Sequence, residues 1–157
     1  MTMATKLARC LSKNESRFET VRRPAQPGAG VTARAPSIPA DRLAHTVLLE
    51  DERGYLTAVI PASHHLKLAE LREQTGRKLS LAHSAGVREV FRDCDMQALP
   101  PVGMAYGTLT WIDESLLTHD DVYFEAGDRE ALVHMSTDDF SRLMADAQRG
   151  HFAHRVM

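Results

Sequence analysis

The chain has 157 residues with 43% hydrophobic and 25% charged side chains, the mix of an ordinary globular protein of about one domain, and not of a disordered chain. No run approaches the roughly 18 apolar residues of a membrane helix, and residues 1–15 lack the continuous apolar stretch of a secretory signal. Cys10 and Cys94 make neither a disulfide framework nor a C-x-x-C pair. These features predict a soluble cytoplasmic protein with no membrane association. The net charge of −2 is unevenly placed. Residues 1–47 carry eight basic and three acidic groups, whereas residues 93–146 carry twelve acids and only Arg129 and Arg142. Either two solvated faces of opposite sign or a local footprint for a phosphate-bearing partner accounts for this, but a polycation that coats nucleic acid is excluded.

In chain order, Leu7, Cys10 and Leu11 set a helix over 4–13, with Asn14 as its stop. Residues 16–22 predict a short strand. Four of the seven prolines fall in 23–40, which predicts a loop with a short helical turn near Thr32–Ala35. Leu43–Glu50 and Tyr55–Ile60 are aliphatic and β-branched runs joined by the turn Asp51–Gly54, a hairpin. A helix follows over 65–75 and ends at Gly76. Lys78–Ala82 alternates like a strand, and Ser84 caps a helix that turns Val87, Val90 and Phe91 inward. Residues 95–107 form a Pro/Gly loop. Thr108–Ile112 is a strand, Asp113–Leu117 a turn, and Val122–Glu125 and Ala131–Met135 two more strands. Ser136 and Asp139 open the last helix as a capping box, with Phe140, Leu143, Met144 and Ala147 on its inner face. A single domain is predicted over 1–150, and the tail 151–157 is expected to fray. Short strands mixed with helices, without a βαβ rhythm, predict an α+β fold: a mixed, partly barrel-like sheet with flanking helices.

The search for chemistry excludes more than it finds. No G-x-G-x-x-G, Walker loop, G-x-S-x-G or H-E-x-x-H occurs. The eight histidines show no ligand set: His64 and His65 diverge on any element, and His151 and His154 lack a third partner. No metal and no cofactor are expected. Cys94, flanked by Asp93 and Asp95, is a small hydrophobe and not a nucleophile. Two segments stand out. Ala98-Leu99-Pro100-Pro101-Val102-Gly103 is a rigid apolar loop, either packed on the core or walling a small-molecule pocket. Phe124-Glu125-Ala126-Gly127-Asp128 places a glycine between two strands, either for a turn or for backbone approach to a ligand.

The run Leu43–Asp51 with Tyr55–Ala62 resembles the opening hairpin of the YbaK-like aminoacyl-tRNA deacylases, which are similar to the editing domain inserted in bacterial prolyl-tRNA synthetases. The resemblance continues in Pro100-Pro101-Val102-Gly103, in Thr110 through Asp113-Glu114-Ser115-Leu116, in Tyr123–Gly127, and in Met135-Ser136 with Asp139-Phe140. It spans about residues 4–148. It implies hydrolysis in trans, without metal, of the ester of a mischarged tRNA carrying a small amino acid. It also implies the acceptor end of aminoacyl-tRNA as partner, beside an aminoacyl-tRNA synthetase. Pro100, Pro101, Gly103, Gly127 and Asp128 would line the substrate pocket, with backbone N–H groups near Gly103 or Gly127 receiving the oxyanion. Arg22, Arg23 and Arg42 would meet tRNA phosphates. Three positions depart from the family pattern: His45 stands at the hallmark Lys, Gln97 at the loop's leading Gly, and Arg129 where relatives often have His. His45 can act on water as a general base, which makes it the catalytic candidate. The alternative is a catalytically weak module on the same fold that binds aminoacyl-tRNA or nucleotide.

Overall fold

The computed structural model describes residues 3–22 and 38–156. Helix α1 (Thr5–Lys13) is followed by β1 (Glu19–Arg22), then by the long hairpin β2 (Leu43–Asp51) and β3 (Gly54–Pro61). Next come β4 (His64–Leu66), α2 (Leu68–Thr75), β5 (Ser80–Leu81) and α3 (Ser84–Val90). The second half contains β6 (Leu109–Asp113), β7 (Asp121–Glu125), β8 (Ala131–Ser136), α4 (Thr137–Leu143), β9 (Gln148–Gly150) and β10 (Ala153–Arg155). The main sheet runs β1-β8-β7-β2-β3-β6-β9, with β5 added on β2. The β2·β7, β3·β6 and β6·β9 pairs are parallel and the others antiparallel. The α+β class and mixed sheet are as the sequence predicts. The sheet stays open, its path ending at β1 and β9, and does not close into a barrel.

The hairpin forms because Leu56 to Pro61 are all buried and can be covered only from both sides. Register then sorts the side chains onto two faces. On one face, Ala44, Val59, Ile112, Phe124 and Val133 pack against Leu7 and Leu11 of α1 and Phe140 and Leu143 of α4. On the other, Leu49, Leu56, Ala58 and Ile60 pack against Leu71, Leu79 and Phe152. At about 25 cal/mol per Å² of apolar surface removed from water, these two layers are the main favourable contribution to folding.

Most predicted elements stand within a residue or two. The capping box at α4 holds: the Ser136 hydroxyl accepts from the Asp139 N–H at 3.1 Å. Three expectations are corrected. The helix predicted over 65–75 begins only at Leu68, because His64–Leu66 is the strand β4. Ser84 is the first residue of α3 and not its cap: the N-cap is His83, without a side-chain bond. The tail does not fray. β10 pairs with β4, and Phe152 is fully buried. The Asp113 carboxylate accepts from Phe152 N–H at 2.7 Å and Ala153 N–H at 2.9 Å, and Gln74 exchanges two hydrogen bonds with the His151 backbone. A single aromatic and one buried acid tie the tail down, a pattern with no sequence period. The helical turn expected at Thr32–Ala35 lies outside the described residues.

Two predictions follow from these contacts. Phe152→Ala empties a site fully enclosed by Leu49, Leu56, Leu71 and Leu79, and is expected to cost about 3–5 kcal/mol in urea unfolding. On the opposite sheet edge, the two ring nitrogens of His134 meet Glu19 at 2.6 Å and Asp121 at 2.8 Å, and the ring stacks on Tyr123. Burial disfavours the imidazolium, but the bonds to Glu19 and Asp121 outweigh it and raise the pKa. A raised folded-state pKa gives stability that is complete below the unfolded value of about 6.5 and is lost as pH rises through the folded value. The melting temperature is therefore expected to fall across that alkaline step in the native protein, and the step to vanish in His134→Gln.

Candidate functional site

His45 lies on β2 opposite Ile60 of β3, with its side chain on the Ile60 face and alternating with buried Ala44 and Thr46. The imidazole is exposed, yet burial by the surrounding protein lowers its pKa. A lowered pKa leaves the ring neutral at physiological pH, the state that accepts a proton. The β2·β7 register pairs Ala44 with Phe124, so Glu125 at the end of β7 comes level with His45.

Beyond Glu125 the chain turns at Ala126 and Gly127, and a second loop is fastened to this corner. Asp95 N–H donates to Gly127 C=O at 2.9 Å, and Gly127 N–H donates to Ala98 C=O at 2.8 Å. The first turn of α1 is anchored on the same two loops: Ala4 N–H donates to Ala126 C=O at 2.9 Å and Lys6 N–H to the Asp93 carboxylate at 2.9 Å. Gly127 has φ +81°, and a Cβ there would stand 2.5 Å from that of Ala4. Glycine at this position is therefore a requirement of the backbone corner. The adjoining Asp128 is buried and caps the turn through Glu130 N–H at 2.8 Å. Arg129 approaches Asp95 at 3.9 Å, and Gln97 is exposed with its N–H held by Asp95.

The proline loop lies elsewhere. Pro100, Pro101 and Gly103 are all buried. A Cβ at Gly103 would meet the hydroxyls of Thr57, Thr108 and Thr110 at 2.5 Å. By register, Thr57 and Thr110 share the face of Val59 and Ile112, so the sheet stands between Gly103 and His45. The Gly103 N–H is also spent on Pro101 C=O at 2.8 Å. Register thus brings Glu125 level with His45, with the Gly127 corner directly after it, and the sheet separates His45 from Gly103. Glu125 is the residue that sequence reasoning passed over. Its only signal was its place at the end of the Tyr123–Gly127 segment.

Among the arginines, Arg42 is taken up by Asp121 at 2.7 Å, Arg22 is exposed on β1, and Arg23 lies outside the described residues. Cys94 is unreactive. Burial, together with the neighbouring Asp93 carboxylate, pushes its thiol up to about 12. Among the described residues, no three His, Cys, Asp or Glu side chains are placed to hold a metal ion, and no helix is long and apolar enough to cross a membrane.

The model of the aminoacyl-tRNA editing domain matches residues 24–143, and the chain belongs to that family. None of the curated proteins matches it significantly. Among solved structures, a candidate trans-editing enzyme for prolyl tRNA synthetase is 20% identical, with a TM-score of 0.77 over 96% of each chain. A scaffold carrying a computationally grafted epitope is 21% identical, with a TM-score of 0.80 over 96% of this chain and 97% of the other. A candidate signal transduction protein from Marinobacter aquaeolei VT8 is 23% identical over 97% of this chain, with a TM-score of 0.76. This chain spans only 31% of that protein's length. These likenesses establish the fold.

The corner is testable by itself. Gly127→Ala is expected to destabilise the protein by about 1–3 kcal/mol from backbone strain alone, with the Ala4 clash in addition. The denaturation midpoint measures it, and an unchanged midpoint would remove the corner from the account.

Proposed function

We propose that the protein is a trans-editing aminoacyl-tRNA deacylase that hydrolyses the ester of a tRNA mischarged with a small amino acid. The observation that carries this reading is His45: an exposed imidazole, kept neutral at physiological pH by desolvation, in a member of the editing family. In the reaction, the His45 imidazole takes a proton from water as that water attacks the ester carbonyl. The tetrahedral intermediate collapses with cleavage of the acyl C–O bond. The imidazolium returns its proton to the departing ribose oxygen, and the amino acid leaves as its acid. The N–H groups of Gly103 and Gly127 are occupied by backbone carbonyls, so the oxyanion is assigned to other donors of the 95–99 and 126–129 loops. Glu125, level with His45, replaces Gly103 among the groups nearest the bound amino acid, with Pro100 and Pro101 kept as candidates. Gly127 and Asp128 shape the rim from behind. Arg22 remains a candidate phosphate contact, while Arg42 is assigned to structure. The site of action is the cytoplasm, beside an aminoacyl-tRNA synthetase.

A second reading, a binding module with weak or no catalysis, is favoured by a specific observation. His45 and Gln97 replace the family's Lys and Gly, and both glycine N–H groups are spent. One pair of variants separates the two. With His45 as base, deacylation of tRNAs mischarged with alanine, serine or cysteine rises with pH through a pKa below 6.5 and then levels. His45→Ala then costs roughly 10²–10⁴-fold. If the site has drifted from a lysine-dependent chemistry, His45→Lys raises activity instead. Changes below twofold in both variants would mean that His45 carries no chemistry.

A further inference from the structure

A recess lies on the face of the sheet covered by α1 and α4, between α1, the turn Gly103–Tyr106 and the end of α4. It is a cleft of about 510 Å³. Its floor is Cys10, Met104, Ala105 and Leu143, and its rim carries Lys6, Arg9, Lys13 and Arg142 against a single acid, Asp146. Lys6, Arg9 and Lys13 follow i, i+3, i+7 spacing, which puts them within about 60° of one another on α1, away from buried Leu7 and Leu11. They rise along the axis in steps of about 4.5 and 6 Å. All three side chains are exposed and, among the described residues, none has a carboxylate partner. Four other cations are instead paired within the structure. Arg42 is neutralised by Asp121, Arg77 by Asp51, Arg142 by Asp139 and Arg155 by Asp41.

We infer that this cleft, and not Arg42, holds the phosphodiester backbone of an RNA strand, with Lys6, Arg9 and Lys13 each meeting a phosphate. The step between the three cations is comparable to the step between successive phosphates. The apolar floor suits a ribose or base turned inward. The path also connects. The first turn of α1 is hydrogen-bonded to Ala126, and Glu125 is level with His45, so a strand lying along α1 from Lys13 to Lys6 is led around the Gly127 corner to the proposed catalytic site. The inference deepens the deacylase reading by naming the surface that receives the tRNA.

The test uses the full chain and an uncharged tRNA acceptor-stem hairpin, so that binding is read without hydrolysis. The triple variant K6Q/R9Q/K13Q is compared with R53Q/R88Q/R92Q, which removes the same charge from exposed positions elsewhere. Fluorescence anisotropy is expected to show at least 10-fold weaker binding for the α1 triple at about 0.1 M salt. The slope of log K against log salt should fall by about 2–3, and the control triple should change little. Equal losses in the two triples, or an unchanged slope in the α1 triple, would overturn the inference. Loss of binding in a protein that deacylates nothing would sustain it while removing the deacylase reading. The converse, full deacylation by the α1 triple with native affinity, would remove this surface alone. Circular dichroism of both triples confirms that the substitutions, all at exposed positions, leave the fold intact.

Discussion

The structure depends on β3. Six consecutive residues of this strand are buried, so neither of its faces can be left to water. Pairing with β2 on one side and β6 on the other satisfies its backbone groups, but its side chains need a layer above and a layer below. α1 and α4 supply one layer. The other is assembled from α2, Leu79 and the C-terminal Phe152, which come from distant parts of the sequence. Asp113 at the end of β6 makes this second layer possible. It is almost wholly buried and accepts from Phe152 N–H, Ala153 N–H and the backbone and hydroxyl of Ser115. A buried carboxylate is costly unless its oxygens are occupied, and here both are.

The same demand for two covered faces sets the position of the candidate site. The middle of the sheet is closed, so a side chain open to solvent can be held rigidly only where the strands end. His45 and Glu125 lie near such ends, and the loop after Glu125 is fastened to the 95–98 loop through Asp95, Ala98 and Gly127. This fastening occupies the N–H groups of Asp95 and Gly127 and fixes the corner that follows Glu125. The glycines at 103 and 127 serve close packing, one against three threonine hydroxyls and the other against α1, and neither presents backbone to a ligand.

Charge is distributed by the same logic. The bidentate Arg77–Asp51 pair is nearly buried and fastens the hairpin turn to the segment after α2. It holds the Asp51 carboxyl down at about 2. The Arg42–Asp121–His134–Glu19 chain runs across the β1 edge. Cations used in this way hold elements together and are not offered to a partner. Lys6, Arg9 and Lys13, without a carboxylate partner among the described residues, lie along α1 above an apolar floor in a chain of net charge −2.

Sequence alone determined the elements whose signals are local. The apolar period of α1, the hairpin around Asp51–Gly54, the capping box at Ser136 and the likeness carried by the 43–62 and 123–127 segments can each be read within a dozen residues. It also singled out His45 as a departure from the family pattern. Only the tertiary structure decided what those residues do, because that depends on partners far away in the chain. Phe152 has no neighbouring apolar period, and it is ordered by Asp113 and by leucines from four other segments. Gly103 stands in a loop with the composition of a pocket wall, but it packs on Thr57 and Thr110, which strand register puts on the face opposite His45, and a one-residue change in register would have reversed that. Arg42 and Lys6 are equally basic as letters. One faces Asp121, 79 residues later in the sequence, and the other faces an open cleft, and nothing local to either residue distinguishes them.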